Sequence, residues 1–426
     1  MRLVTLGVMT ALALAAILLP DPSTPQPGSE AGVVVPPVSI CPIVEAGERH
    51  TTISVLSSVR GHGRISTFSS GSATGSLVFS TGGSGSVSIT AADVSAIGLG
   101  GGLIELPSAA TVSGVTIAGA PSLAAESCAE TPTSQSYLMG GSTAGSASFD
   151  ILLMNPYAGE AVVDLTVSTD TGLESDSRFD AVIVPALSTI TLNFNEIIPG
   201  RAFISASIVT TRGSVLAVAS QTTAVESAIW RAVAPAQNWW LPVPAGGDVK
   251  ELVIGSATNT EVEYRIDYYG PEGLVEEFAA GTIEPRRHTA ISLTSVTTGA
   301  SGIRVFTTAP VVAGLSIDAL SGLAVTTGSP IDALTWLLPG ANSPAGGSAS
   351  IVVLNTGIEP VTVAARSLRE ESLIRNFELA AEAVLVIDLV AADGYRIEAS
   401  GPVVALWTSQ LGGAGAAAIG VPIQDG

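Results

Sequence analysis

Three observations predict an all-β chain of tandem immunoglobulin-like β-sandwich repeats behind one N-terminal apolar helix. Short runs alternate apolar and polar residues, Gly, Pro and Asn interrupt them, and one layout returns four times. Alternation at period two puts successive side chains on opposite faces of a strand, and turn residues every 8–12 positions or so keep the strands short. Repeat starts at residues 41, 137, 240 and 336 lie 96, 103 and 96 residues apart. About seven strands fit such an interval, the complement of an immunoglobulin-like sandwich. A β-propeller or fused β-repeat array is the alternative, although propeller repeats run about 40–50 residues, half this period.

The first element is the apolar run Leu3–Leu19, preceded by Arg2 and ended by Pro20-Asp21-Pro22. As a helix it would rise about 25 Å, near the shortest span of a bilayer core. The positive charge precedes the run and Asp21 and Glu30 follow it, which predicts a cytoplasmic N-terminus and an extracytoplasmic body. The small-x-small sites at Ala11-Leu12-Ala13 and Ala13-Leu14-Ala15 fall inside the run. Residues 1–20 therefore read as an uncleaved signal-anchor helix, with secretion after cleavage as the alternative. Residues 21–38 are a Pro-rich, semi-rigid spacer.

Four sandwich repeats follow, at residues 39–134, 135–236, 237–333 and 334–426. Their openings are Cys41-Pro42, Tyr137-Leu138-Met139-Gly140, Trp240-Leu241-Pro242 and Trp336-Leu337-Leu338-Pro339-Gly340. An alternating run comes next (Ser148–Met154, Glu251–Gly255, Ser350–Leu354), then a polar turn such as Asn155-Pro156-Tyr157 or Asn355-Thr356-Gly357. A second alternating run, two closing strands and a short apolar tail, such as Ala228–Ala234 or Ala416–Pro422, complete each unit, and in the first unit Ala109–Ile117 and Ser122–Cys128 fit the closing pattern. Glu370–Val386 has a helical composition, but its counterparts carry Pro185 and Pro285 mid-segment, so it is read as strands. The first repeat, with its Gly/Ser-rich middle, diverges most.

Composition narrows the chemistry. The chain holds 17 basic and 37 acidic residues, a net charge of −20, and an acidic body repels phosphate backbones, so nucleic acid is not an expected partner. The histidines His50, His62 and His288 form no pair at i, i+4 and no H-E-x-x-H, and no G-x-S-x-G elbow occurs. No catalytic or cofactor-binding residues are expected. Arg60-Gly61-His62-Gly63-Arg64 reads as an exposed turn. Asp170, Glu174, Asp176 and Asp180 gather carboxylates on one loop and are candidate calcium ligands, although their order departs from D-x-[DN]-x-[DN]-G. A solvated hairpin tip is the other reading. Arg286 and Arg287, beside His288, are candidate contacts for an anionic glycan or phosphate. Trp239, Trp240 and Trp336 mark repeat starts, either as core packing or as rings on which a sugar stacks. Cys41 and Cys128 frame the first repeat. Outside the cytoplasm such a pair can form a disulfide, and two separate buried thiols are the alternative.

The basic-then-apolar N-terminus, the Pro-rich spacer, Cys41-Pro42, and W-x-L-P openings followed by N-P or N-T-G turns resemble an uncharacterised family of actinobacterial envelope proteins with a domain-of-unknown-function label. The resemblance spans residues 1–426 and implies an extracytoplasmic location, with no catalytic residues to carry over.

The expectation is a non-enzymatic, membrane-tethered extracytoplasmic repeat protein serving as scaffold, adhesin or binding subunit at the cell envelope. Its expected partners are the membrane, through the N-terminal helix, and cell-wall glycan or an envelope protein. A ligand-binding accessory of a transport or polymer-export system is the alternative, and a wall-polymer hydrolase the third.

Overall fold

The computed structural model describes residues 37–423, apart from short stretches at 46–49, 58–59, 70–72, 83–84, 91–92, 94–97, 109–110, 120–121, 130–131, 224–225, 247–248, 295–298, 320–321, 342–346, 369–372, 390–393 and 413. The expected anchor helix and nearly all of the spacer lie outside the described residues. Among the described residues no helix is long and apolar enough to cross a membrane. The fold is nearly all β. A four-residue α-helix, Phe194–Ile197, and a 3-10 turn, Ser177–Phe179, interrupt the second stretch of strands.

Period-two patterning becomes two antiparallel sheets in each of the first two stretches. In the first stretch one sheet runs Val38–Glu45, Gly98–Glu105, Arg60–Phe68, Ala73–Gly82. The other runs Gly85–Thr90, His50–Ser57, Thr111–Gly119, Ser122–Ser127. The same orders return in the second stretch, with Gln135–Gly141, Ile204–Arg212, Ala161–Thr169 and Gly172–Glu174 in one sheet and Ser188–Asn193, Ser148–Asn155, Leu216–Thr222 and Ser227–Arg231 in the other. In the third and fourth stretches two closing strands fuse into one, Ser301–Ala319 and Tyr395–Leu411, which joins the strands of each stretch into a single sheet. Pro310 and Pro402 fall within these long strands, beside irregularities of register, where a missing N–H is tolerated.

Two expectations are corrected or settled here. Arg60-Gly61-His62-Gly63-Arg64 is not a turn but part of the strand Arg60–Phe68. Gly63 packs under the Phe79 ring and Gly61 against Pro107, so the glycines admit close neighbours rather than bend the chain. The segment Glu370–Val386 forms the strands Leu373–Leu379 and Val384–Asp388.

Each stretch returns to its own first strand. Ile40 and Ala129 exchange backbone hydrogen bonds at 2.7 and 3.1 Å, Tyr137 and Val233 at 2.9 and 3.2 Å, and Trp240 and Ser329 at 2.8 and 2.9 Å. In the fourth stretch Leu337 pairs with Val421. The disulfide Cys41–Cys128 joins the same two places in the first stretch, with Cα atoms 4.8 Å apart.

The cores do not stop at these units. Met154, Leu216, Val218 and Ile229 of the second stretch belong to the core that holds Ile40, Ile53 and Ile104 of the first. Tyr137 and Met139 of the second join the core of the third. Gly302 of the third packs on Leu354 of the fourth. Leu337, Leu368 and Val421 of the fourth cluster with Leu56 and Val112 of the first. The four stretches thus form a closed ring. At its centre the strands Ser122–Ser127, Ser227–Arg231, Gly322–Thr327 and Ala414–Ile419 pack one on the next and the last on the first. Small side chains permit this convergence: Ala124, Ala125, Ala228, Ala416, Ala417 and Ala418 are all buried there.

Candidate functional site

The hub where these four strands meet opens into a cleft of about 260 Å³. Trp239, Leu216, Ala217 and Ile419 form its buried floor, and Thr133, Ala234, Pro330 and Ile331 stand at its exposed mouth. All four stretches contribute, because the cleft lies where each chain segment leaves the hub. Among its described lining residues the charged one is Arg231, the last residue of Ser227–Arg231.

Behind Arg231 lies Glu126, whose side chain is 3% exposed. One carboxylate oxygen accepts from the Ser127 N–H at 2.8 Å and the other from the Arg231 N–H at 3.0 Å. Burial pushes this carboxyl above the usual range, opposed by the Arg231 charge and the two backbone donors. The Arg231 Nε lies 4.0 Å from the carboxylate and, though buried, has no hydrogen-bond acceptor. Ser127 Oγ donates to the Ile419 carbonyl at 2.6 Å, tying the first stretch to the fourth at the hub. Neither Glu126 nor Arg231 was expected from the sequence. The available signal was one carboxylate inside the otherwise small and apolar tail Ser122–Cys128, since a buried acid is rare unless paired.

A second polar assembly spans the seam between the second and third stretches. Tyr137 donates to Ser205 Oγ at 2.9 Å, Ser205 and Ser168 share a hydrogen bond at 3.0 Å, and Ser168 Oγ lies 3.4 Å from His288 Nδ1. The His288 ring packs on Phe203 with centroids 3.8 Å apart. Burial, aided by the neighbouring Arg287 charge and opposed by Asp170, lowers the His288 pKa to about 4. Burial also pushes the Tyr137 phenol up to about 12. Ser168 is buried and already shared with Ser205, so the contact joins two stretches and presents no reachable nucleophile.

The remaining candidates separate. Trp239 and Trp336 are fully buried and donate their indole N–H to Val311 and Val403 carbonyls at 2.8 Å each. Trp240 is buried beneath the Arg304 guanidinium, 4.2 Å from its ring centroid. These rings are packed in the core, the first of the two readings, and not exposed as a sugar platform would be; Trp239 also lines the hub cleft. The acidic loop does not converge either. Glu174 pairs with Arg201 at 2.8 Å and Asp176 with Arg178 at 2.7 Å, while Asp170 and Asp180 face solvent. Hydrogen bonds from Arg178 hold the Asp176 carboxyl down at about 2. Among the described residues no group of three or more His, Cys, Asp or Glu is placed to hold a metal ion. Two of the four calcium candidates, Glu174 and Asp176, are thus paired with arginines, and the other two are exposed. Arg286 is exposed with its Nε on Asn259 Oδ1 at 2.6 Å, and Arg287 faces Glu284 at 3.8 Å.

Residues 105–323 match the model of a family of unknown function (DUF5719). No curated protein matches the chain. Among solved structures, the α-L-rhamnosidase of Streptomyces avermitilis complexed with L-rhamnose aligns at 9% identity and a TM-score of 0.12, over 82% of this chain and 53% of that one. The chain thus spans about half the length of the rhamnosidase. A tetra-tandem repeat from the extending region of a large adhesion protein aligns at 10% identity and a TM-score of 0.12, over 90% of this chain and 99% of that one. The α-2-macroglobulin of E. coli aligns at 10% identity and a TM-score of 0.13, over 91% and 29%. TM-scores that low decide neither fold nor function.

Proposed function

Because the chain belongs to a family of unknown function (DUF5719), its role is read from its own residues, and we propose a non-enzymatic, membrane-tethered scaffold or binding subunit of the cell envelope. Its units are taken as four immunoglobulin-like sandwiches, a reading supported by the two antiparallel sheets whose strand order the first and second stretches share. The observation that carries the proposal is the closed ring. Four stretches that bury their tails in one hub, with a disulfide at one joint, make a rigid body whose outer strands and turns are left to meet a partner. The apolar run Leu3–Leu19 and the spacer after it supply the tether.

Sedimentation of the purified full chain with isolated cell envelopes and with peptidoglycan tests this. The expected result is retention with envelopes and no soluble sugar released. Release of wall fragments would replace the proposal by a hydrolase, and failure to sediment would remove the envelope-binding role. The hub cleft favours a second reading, a ligand-binding accessory, because a Trp-floored cleft with a guanidinium in its lining is more than a spacer requires.

A further inference from the structure

The hub cleft combines three properties that together describe a ligand. Its volume of about 260 Å³ lies just below the usual range for small-molecule sites. At roughly 30 Å³ per water-sized group it admits about eight or nine heavy atoms. Most of its lining is apolar, from Trp239, Leu216, Val215 and Ile419, so the occupant's body is apolar too. Among the described lining residues the one charged group is a guanidinium, which suits an anion at one end of the occupant.

Glu126 does not fill that role. Its oxygens accept from the Ser127 and Arg231 backbone N–H groups, and it faces the Arg231 Nε as a counter-charge at 4.0 Å, behind the guanidinium and outside the cleft lining. A guanidinium carries five N–H donors in a planar fork, enough to serve a buried carboxylate behind it and a second in the cleft.

We propose that the hub cleft binds a small straight-chain monocarboxylate, its carboxylate on Arg231 and its chain against Trp239, Leu216 and Ile419. The proposal rests on the second reading above and names its ligand class. Hexanoate, with eight heavy atoms, is the probe, and hexanol is its uncharged counterpart. Titration calorimetry of the full chain in lipid nanodiscs should show saturable hexanoate binding, with hexanol weaker by about tenfold or more, the worth of a charge-assisted hydrogen bond. Arg231→Gln would strand Glu126 without its counter-charge and threaten folding. Ala234→Phe, at the exposed mouth, instead fills the entrance from a surface position. It should abolish hexanoate binding while leaving the melting temperature of the unliganded chain unchanged. Equal binding of hexanol and hexanoate, hexanoate binding that survives Ala234→Phe, or no binding across the C4–C8 acids would each overturn the proposal. None of these touches envelope sedimentation. A chain that binds hexanoate yet fails to sediment would count against the envelope role alone.

Discussion

Asn155 and Asn355 are fully buried at equivalent turns, and each uses its whole amide. Asn155 donates to the Gly159, Val184 and Pro185 carbonyls at 2.8, 3.0 and 3.1 Å and accepts from the Tyr157 N–H at 3.0 Å. Asn355 donates to Glu359 and Ala380 at 2.9 and 2.8 Å and accepts from Gly357 at 3.0 Å. Replacing either by Ala leaves buried carbonyls unpaired, at about 1–3 kcal/mol. Ser256 stands at this place in the third stretch and accepts from Thr258. Denaturant midpoints should therefore fall for Asn155→Ala and fall less for Asn155→Ser; equal values would show that the amide does not organise the turn. At the seam, His288 has a folded pKa of about 4 against 6.5 for the free side chain. Below pH 6.5 the unfolded chain gains this proton before the folded one does. The stability contributed by neutral His288 is thus complete above pH 6.5 and is lost as pH falls toward 4. The fall in melting temperature from pH 7 to pH 5 should shrink in His288→Phe, which keeps a ring against Phe203 but cannot charge. An unchanged pH slope would assign the loss to other groups.

Among the elements, glycines mark where one stretch approaches another. Gly114 faces Ser54 and Gly314 faces Val253, the same register position in two stretches. Gly114 lies against Pro339 of the fourth stretch and Gly314 against Met139 of the second. Each gap is the width of the missing side chain. Gly314→Val should overpack the seam by about 1–3 kcal/mol, and Met139→Ala in the same chain should recover part of that loss. Additive losses in the double variant would place the two residues out of contact. Such seams were not legible in the sequence. Period-two alternation showed the strands, and comparison between repeats turned the helical composition of Glu370–Val386 into strands, because both signals are local. The Arg60–Arg64 segment misled since glycines that admit Phe79 and Pro107 look like glycines that bend a chain. The tryptophans were legible as periodic markers and as core packing, but period alone left the exposed sugar platform open, because it does not say which face is covered. The hub was least visible. Its alanines have no periodicity of their own, and which four tails converge is a long-range fact that spacing does not encode.

For the whole molecule, closure of the ring changes what the disulfide does. Cys41–Cys128 closes a loop of 87 residues, for which the chain-entropy model gives about 4–5 kcal/mol. In a string of independent sandwiches, reduction would loosen residues 39–130 and leave the later three stretches intact, since open repeat arrays couple only neighbour to neighbour. Here the first stretch shares its core with Met154, Leu216, Val218 and Ile229 on one side and with Leu337, Leu368 and Val421 on the other. Loosening it exposes both surfaces and removes the Ser127 and Glu126 contacts that join the hub strands. Reduction, or Cys128→Ser, should therefore lower the melting temperature of the entire body in one transition, with calorimetric and van't Hoff enthalpies in agreement. Limited proteolysis of the reduced chain should cut within the second and fourth stretches as readily as in the first. A protease-resistant fragment covering residues 135–426 after reduction would show that the three later stretches hold without the first, and that the ring is a contact between independent units rather than one cooperative structure.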